Sequence, residues 1–255
     1  MDSQKVDFLQ SVSALLFYHQ AIGIDSYPAD TTLLRSLETA AIPAVTSLVL
    51  RETERTMPVV DVSACTSIVD IADEVRSCTG CALHAKRLFP VPGQGGEQPR
   101  LLLVGGWLVG EEGKTIPTGS ILGPEEDDML LRMLAAIHLP PEDAFVTNII
   151  KCAISSTCRP TTENIHACFS FLLRQIRALS PEVICTMGID VTRALLKTPQ
   201  PLSQLRGKFY PFAVSDHTSI PVMPTYHPTF LLRNPEFKRA TWEDLQSIAK
   251  LLKTM

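Results

Sequence analysis

The chain has 255 residues, 45% of them hydrophobic and 20% charged, with a formal net charge of −4 at pH 7. That length accommodates one large globular domain with a small appendage, and no apolar run approaches the roughly 20 residues of a membrane span. Asp2, Lys5 and Asp7 stand where an export signal would place a basic segment leading into an apolar one, so a cytoplasmic, non-membrane protein is expected.

In chain order, residues 6–21 place Phe8, Leu9, Val12, Leu15 and Leu16 at helical spacing, closed by Gly23. Residues 26–62 mix Pro28, Pro43 and Pro58 with short apolar runs and read as a tether, partly helical over 32–40. A short helix from Ser67 leads into Cys78-Thr79-Gly80-Cys81, and a loop follows at Val91-Pro92-Gly93-Gln94-Gly95-Gly96. Residues 100–105 form a continuous apolar run ending in Gly105, as expected of a parallel strand covered on both faces. Then come a glycine-rich loop, a helix over 127–138, a strand over 144–150 and a helix from Thr162 to Leu179 with Thr161 or Thr162 as N-cap. A strand over 181–188, a helix over 189–197, strands over 209–214 and 220–225 and a helix over 237–252 complete the pattern. This alternation predicts a three-layer α/β domain over 65–255, with a central, mostly parallel sheet between helices. A helical or irregular extension over 1–64 precedes it. In such sheets the active cleft lies at the carboxyl ends of the strands, where Gly105, Thr147-Asn148, Gly188 and Tyr226-His227 fall.

The acidic balance is uneven. Up to Ser77 there are 5 Lys+Arg against 11 Asp+Glu, whereas between Arg159 and Ala240 there are 10 against 5. The total charge therefore leaves room for a basic face that meets DNA, with the acidic N-terminal segment free to recruit a protein partner.

Seven cysteines, an odd number, favour thiols and metal ligation over disulfides. Cys78 and Cys81 at i, i+3, with Cys152 and Cys168 on separate elements, form a four-thiolate set for an iron–sulfur cluster or a zinc ion. Cys158 is ambiguous by spacing, and Cys185 sits in a buried strand as a small core residue. In Thr147-Asn148-Ile149-Ile150-Lys151-Cys152 an amide precedes one of these thiols. His227, between a strand and Pro228, is placed to donate a hydrogen bond to charge on a leaving group. Arg233, with Lys238 and Arg239, is placed for phosphates. In the loop from Gly105 to Gly113, Gly105 and Gly106 allow a ligand to approach the backbone and Trp107 packs or stacks. Glu111 and Glu112 are its nearest carboxylates.

Cys78-x-x-Cys81, Thr147 to Cys152, Cys168, Leu205-Arg206-Gly207 and Pro224 to Arg233, in that order, resemble the family 4, iron–sulfur uracil-DNA glycosylases from about Cys78 to Lys250. The resemblance implies a four-stranded parallel sheet and a [4Fe–4S] cluster on Cys78, Cys81, Cys152 and Cys168. It also implies a pocket for a base flipped out of DNA, in which Asn148 reads uracil and His227 stabilises the departing anion. The segment carrying Arg233 would wedge into the duplex, with Arg206 a further DNA contact. Where the family has Gly-Glu-x-Pro-Gly, this chain has Gly105-Gly106-Trp107-Leu108-Val109, without the water-placing carboxylate. Glu112 is the candidate to reach the water position instead. Where the family has Pro-Phe-Val-Gly, this chain has Ser120-Ile121-Leu122-Gly123, without the stacking ring. The expectation is a monomeric DNA repair glycosylase. Its alternatives are a weak or inactive DNA-binding protein of the same fold, and a metal-stapled scaffold.

Overall fold

The computed structural model describes residues 67–110, 115–215 and 218–253. The expected helix at 6–21, the tether at 26–62, the boundary at 64, Cys65, Glu111 and Glu112 lie outside the described residues.

Helix α1 (Ile68–Ser77) starts at a capping box in which Ser67 and Asp70 satisfy each other's backbone amides. A 3-10 turn (Ala82–Ala85) leads to β1 (Phe89–Pro90), β2 (Gln94–Gly95), β3 (Leu101–Gly105) and β4 (Val109–Gly110). Helix α2 (Pro124–Ala136) begins three residues before the sequence expectation. Pro124 supplies a helical φ at the first position, and Glu125, Glu126 and Asp127 favour the positive end of the helix dipole. Then follow β5 (Ala144–Asn148), β6 (Cys152–Ser155), α3 (Thr162–Leu179), β7 (Val183–Met187), α4 (Ile189–Leu196), α5 (Leu202–Leu205), β8 (Tyr210–Ser215), β9 (Thr218–Thr225), α6 (Pro228–Arg233) and α7 (Lys238–Leu252). Thr161 caps α3 as anticipated, in a capping box with Asn164.

The main sheet runs β2-β5-β3-β7-β9-β8. Its inner four strands are parallel, as the resemblance implies, and β2 and β8 pair antiparallel at the two rims. Composition had marked Gln94-Gly95 as loop. A strand forms there because Gly95 has φ +147 and rests on the Ala144 carbonyl, where a Cβ would overlap it. The hairpin β8–β9 carries a register shift between Ala213 and Ser215. A second, three-stranded sheet joins β1, β6 and β4.

Alternating side chains of β3 define the two cores, as a strand period of two requires. Leu101 and Leu103 meet Leu130 and Leu134 of α2 and Leu245, Ile248 and Leu252 of α7. Leu102 and Val104 meet Leu172, Ile176 and Leu179 of α3 and Val191 and Leu195 of α4. The three-layer α/β reading holds.

Arg206 is turned inward rather than toward DNA. Its Nε and Nη2 donate to the two carboxylate oxygens of fully buried Asp244 at 3.1 and 2.9 Å, Nη2 also donates to the Ala240 carbonyl, and Thr225 Oγ1 donates to Asp244 at 2.7 Å. The guanidinium is consumed in joining α5, β9 and α7. Removing it strands a buried carboxylate, so Arg206→Leu should lower unfolding free energy by about 3 kcal/mol in a denaturant titration, with the slope unchanged.

Candidate functional site

Cys78, Cys81, Cys152 and Cys168 line one small cavity. Cys78 caps the C-terminus of α1, Cys81 precedes the 3-10 turn, Cys152 opens β6 and Cys168 lies on the buried face of α3. Cys158 is absent from this lining, and Cys185 is fully buried in β7. Donors surround the sulfurs: the Gly80 amide faces Cys78 Sγ at 3.4 Å, the Lys151 amide faces Cys168 Sγ at 3.2 Å and Arg87 Nη1 faces Cys152 Sγ at 3.9 Å. Burial pushes the Cys168 thiol up to about 11 and raises Cys152, against the pull of Lys151 and Arg87. Four thiols supplied with N–H donors are the chemistry of a thiolate-ligated metal centre, so the donor set fits one. Among the described residues no three His, Cys, Asp or Glu side chains are grouped to hold a single ion. Zinc needs four sulfurs at about 2.3 Å from one point, whereas a cluster places each thiolate on a different iron.

Lys151 connects this cavity to the sheet's carboxyl end. Its side chain is buried, and its three ammonium donors go to Thr147 Oγ1 at 2.6 Å, the Asn148 carbonyl at 2.7 Å and Gln175 Oε1 at 2.5 Å. Gln175 Nε2 donates to the Pro92 carbonyl at 2.6 Å. Burial pulls the Lys151 pKa down to about 7.

Register places Asn148 directly beside Gly105. A Cβ on Gly105 would lie 2.5 Å from Asn148 Oδ1, 2.6 Å from Leu122 Cδ2 and 3.2 Å from His227 Nε2, so these groups converge on one point. Asn148 is fully buried, and its Nδ2 donates to the Ile121 carbonyl at 2.5 Å. A carbonyl only accepts, so that contact assigns the amide's nitrogen and leaves Oδ1 facing Gly105, where it has no partner. The loop holding Ile121 is itself held by Asp127, which accepts from Ser120 Oγ at 2.5 Å and from the Ile121 and Leu122 amides at 3.0 Å each. Ile121 also lines a neighbouring cavity of about 570 Å³ between residues 89–94 and 116–121. Trp107 packs against the α3-side core, and a Cβ on Gly106 would meet nothing within 4 Å.

His227 is the N-cap of α6, and the Thr229 amide donates to its Nδ1 at 3.2 Å. With Nδ1 accepting, the neutral ring carries its proton on Nε2, which faces the Gly105 cluster. Burial drives the His227 pKa down to about 4, so the ring is uncharged near neutrality. Gly188 (φ +98) passes beneath it, with a Cβ position 3.6 Å from His227 Cβ. Tyr226 stacks on Phe230 at 5.0 Å and meets Phe237 edge-on at 5.2 Å, fixing α6 against the body. Arg233, Lys238 and Arg239 are exposed. The structure thus brings Gly105, Asn148 and His227 together, whereas Trp107 lies partly buried against the α3-side core and Arg206 is tied to Asp244. Glu126, Asp127 and Thr229 join the site from positions that sequence reasoning had not assigned to it.

The His227 resonances should stay in their neutral position in NMR spectra from about pH 8 to about pH 5 and titrate near 4, because burial disfavours the charged ring. Between about pH 6.5 and that value the unfolded chain takes up a proton that the folded chain refuses, so this group makes stability fall as the solution is acidified. A midpoint near 6.5 in the folded protein would contradict the burial.

Residues 92–246 match the family model described as the uracil DNA glycosylase superfamily. The chain is similar to the type-4 uracil-DNA glycosylase of Saccharolobus solfataricus, with 34% identity over 190 residues, covering 71% of this chain and 85% of that protein. It is 30% identical to the type-4 enzymes of Archaeoglobus fulgidus and Thermotoga maritima, in each case over 72% of this chain and 93% of the relative. The family match spans the strand ends that carry Gly105, Asn148 and His227, and on that ground the chain belongs to the uracil DNA glycosylase superfamily.

Proposed function

We propose that this protein is a DNA repair glycosylase that hydrolyses the N-glycosidic bond of uracil in DNA. The observation that carries the proposal is the buried, unpartnered Oδ1 of Asn148 beside the protonated Nε2 of His227. Uracil presents an N–H between two carbonyl oxygens. An acceptor with a fixed orientation suits that N–H, and it does not suit the bare ring nitrogen that cytosine has there. Type-4 uracil-DNA glycosylases are the relatives that support this reading.

Cleavage of the bond from C1′ to the base nitrogen leaves positive charge on the sugar and negative charge on uracil. His227 donates its Nε2 proton as a hydrogen bond toward that negative charge, and its neutrality spares the site the cost of a buried cation. Extruding the base costs a few kcal/mol, which contacts of Asn148 and its neighbours offset. Exposed Arg233, Lys238 and Arg239 give the α6–α7 face the charge to meet phosphates. Gly106 offers no carboxylate to orient water, and Ile121 offers no ring to stack, so release is slow. These two residues also favour a second reading, binding of DNA without cleavage.

The same proposal assigns Cys78, Cys81, Cys152 and Cys168 to a [4Fe–4S] cluster that would cross-link α1, β6 and α3. The same four thiols would also serve a zinc ion, and metal analysis of the purified protein separates the two. The role of residues 1–64 as a separate segment that recruits a protein partner rests on their acidic excess.

A uracil-containing oligonucleotide should yield abasic product slowly with wild-type protein. Asn148→Ala should lower the rate by about 10²-fold. Gly106→Glu, for which the structure leaves room, should raise it. Absence of abasic product at stoichiometric protein, with salt-sensitive DNA binding retained, would establish the second reading instead. Cys152→Ser should lose iron and visible absorbance in the purified protein. Wild-type iron content in that variant would remove Cys152 from the ligand set.

A further inference from the structure

The surroundings of His227 extend the glycosylase reading, on which this inference rests, by one residue. Thr229 approaches Nδ1 twice, with its amide at 3.2 Å and its hydroxyl oxygen at 3.1 Å. That hydroxyl also lies 3.0 Å from Glu126 Oε1. An ionised carboxylate only accepts, so the hydroxyl proton goes to Glu126 and the amide remains the donor to the ring. Glu126 sits in the first turn of α2, 103 residues earlier in the chain. Its Oε2 lies against Gly123, so close that a Cβ there would overlap it. Gly123 ends the loop whose Ile121 carbonyl holds Asn148.

We infer that Glu126 is a positioning residue for His227. Through the Thr229 hydroxyl it ties the N-cap of α6 to the N-terminus of α2, and so sets His227 Nε2 against the wall that carries Asn148. The chain of contacts runs from the carboxylate to the Thr229 hydroxyl and from the amide of that same threonine to the imidazole, and Glu126 touches neither base nor sugar. Asp127, the next residue, braces the Asn148 wall through Ser120, Ile121 and Leu122. One helical turn thereby braces both groups that would hold the base.

Single-turnover release of uracil by the full-length protein tests this. Glu126→Ala should slow release about tenfold with DNA affinity unchanged, the size of effect expected when a positioned group drifts. Thr229→Val, which breaks the same chain from the other side, should lose a similar factor, and Glu126→Gln, which keeps an acceptor, should recover most of the rate. In a His227→Ala background, Glu126→Ala should cost nothing further. The ring nitrogens of His227 should shift in ¹⁵N spectra of Glu126→Ala. An equal loss in the His227→Ala background, or unmoved ring-nitrogen shifts, would overturn the inference. If the wild-type protein releases no uracil, the glycosylase reading fails, and the ring-nitrogen shifts still decide the positioning role.

Discussion

The parallel pairing of β3 with β5 sets Gly105 opposite Asn148, and the site depends on that register. A slip of one residue would turn Asn148 to the other face of the sheet. The missing side chain at Gly105 is what lets a fully buried amide, a leucine and an imidazole approach a common point. The hydrophobic layers on both faces hold this register in place, since Leu101 and Leu103 commit to one core and Leu102 and Val104 to the other.

Lys151 carries the same ladder toward the cysteines. A buried ammonium is costly, and here each of its donors finds an oxygen, one of them the carbonyl of Asn148 itself. The backbone of the same residue faces Cys168 Sγ, and the next residue is Cys152. Three residues of chain therefore lie between the amide that would read the base and a thiol that would hold a metal centre. Arg87 adds a second tie, donating to the carbonyls of Arg76 and Cys78 while its guanidinium faces Cys152. Rigidity at the sulfurs and rigidity at Asn148 are in this way one property of one segment.

Much of this was legible in the sequence because it is local. The capping residue Thr161, the full length of α3 and the close pair Cys78 and Cys81 all follow from side chains within a few positions of one another. The parts that were not legible depend on distant partners. Nothing near Arg206 announces that Asp244, 38 residues on, pairs with two of its three guanidinium nitrogens. Glu126 reads as an ordinary acidic first turn until Thr229 is placed beside it. Trp107 lies partly buried against the α3-side core, whose residues are distant from it in sequence. Gln94-Gly95 looked like loop because glycine carries no strand preference, yet that lack of a side chain is what admits it beside Ala144.

The borders of the main sheet have an effect unrelated to the cleft. An open rim of unpaired amides and carbonyls invites a neighbouring molecule to add a strand. Here one border is a strand of two residues and the other a hairpin whose ladder is broken between Ala213 and Ser215. Neither presents a long, flat row of hydrogen-bonding groups, so growth of the sheet from molecule to molecule is discouraged at both ends.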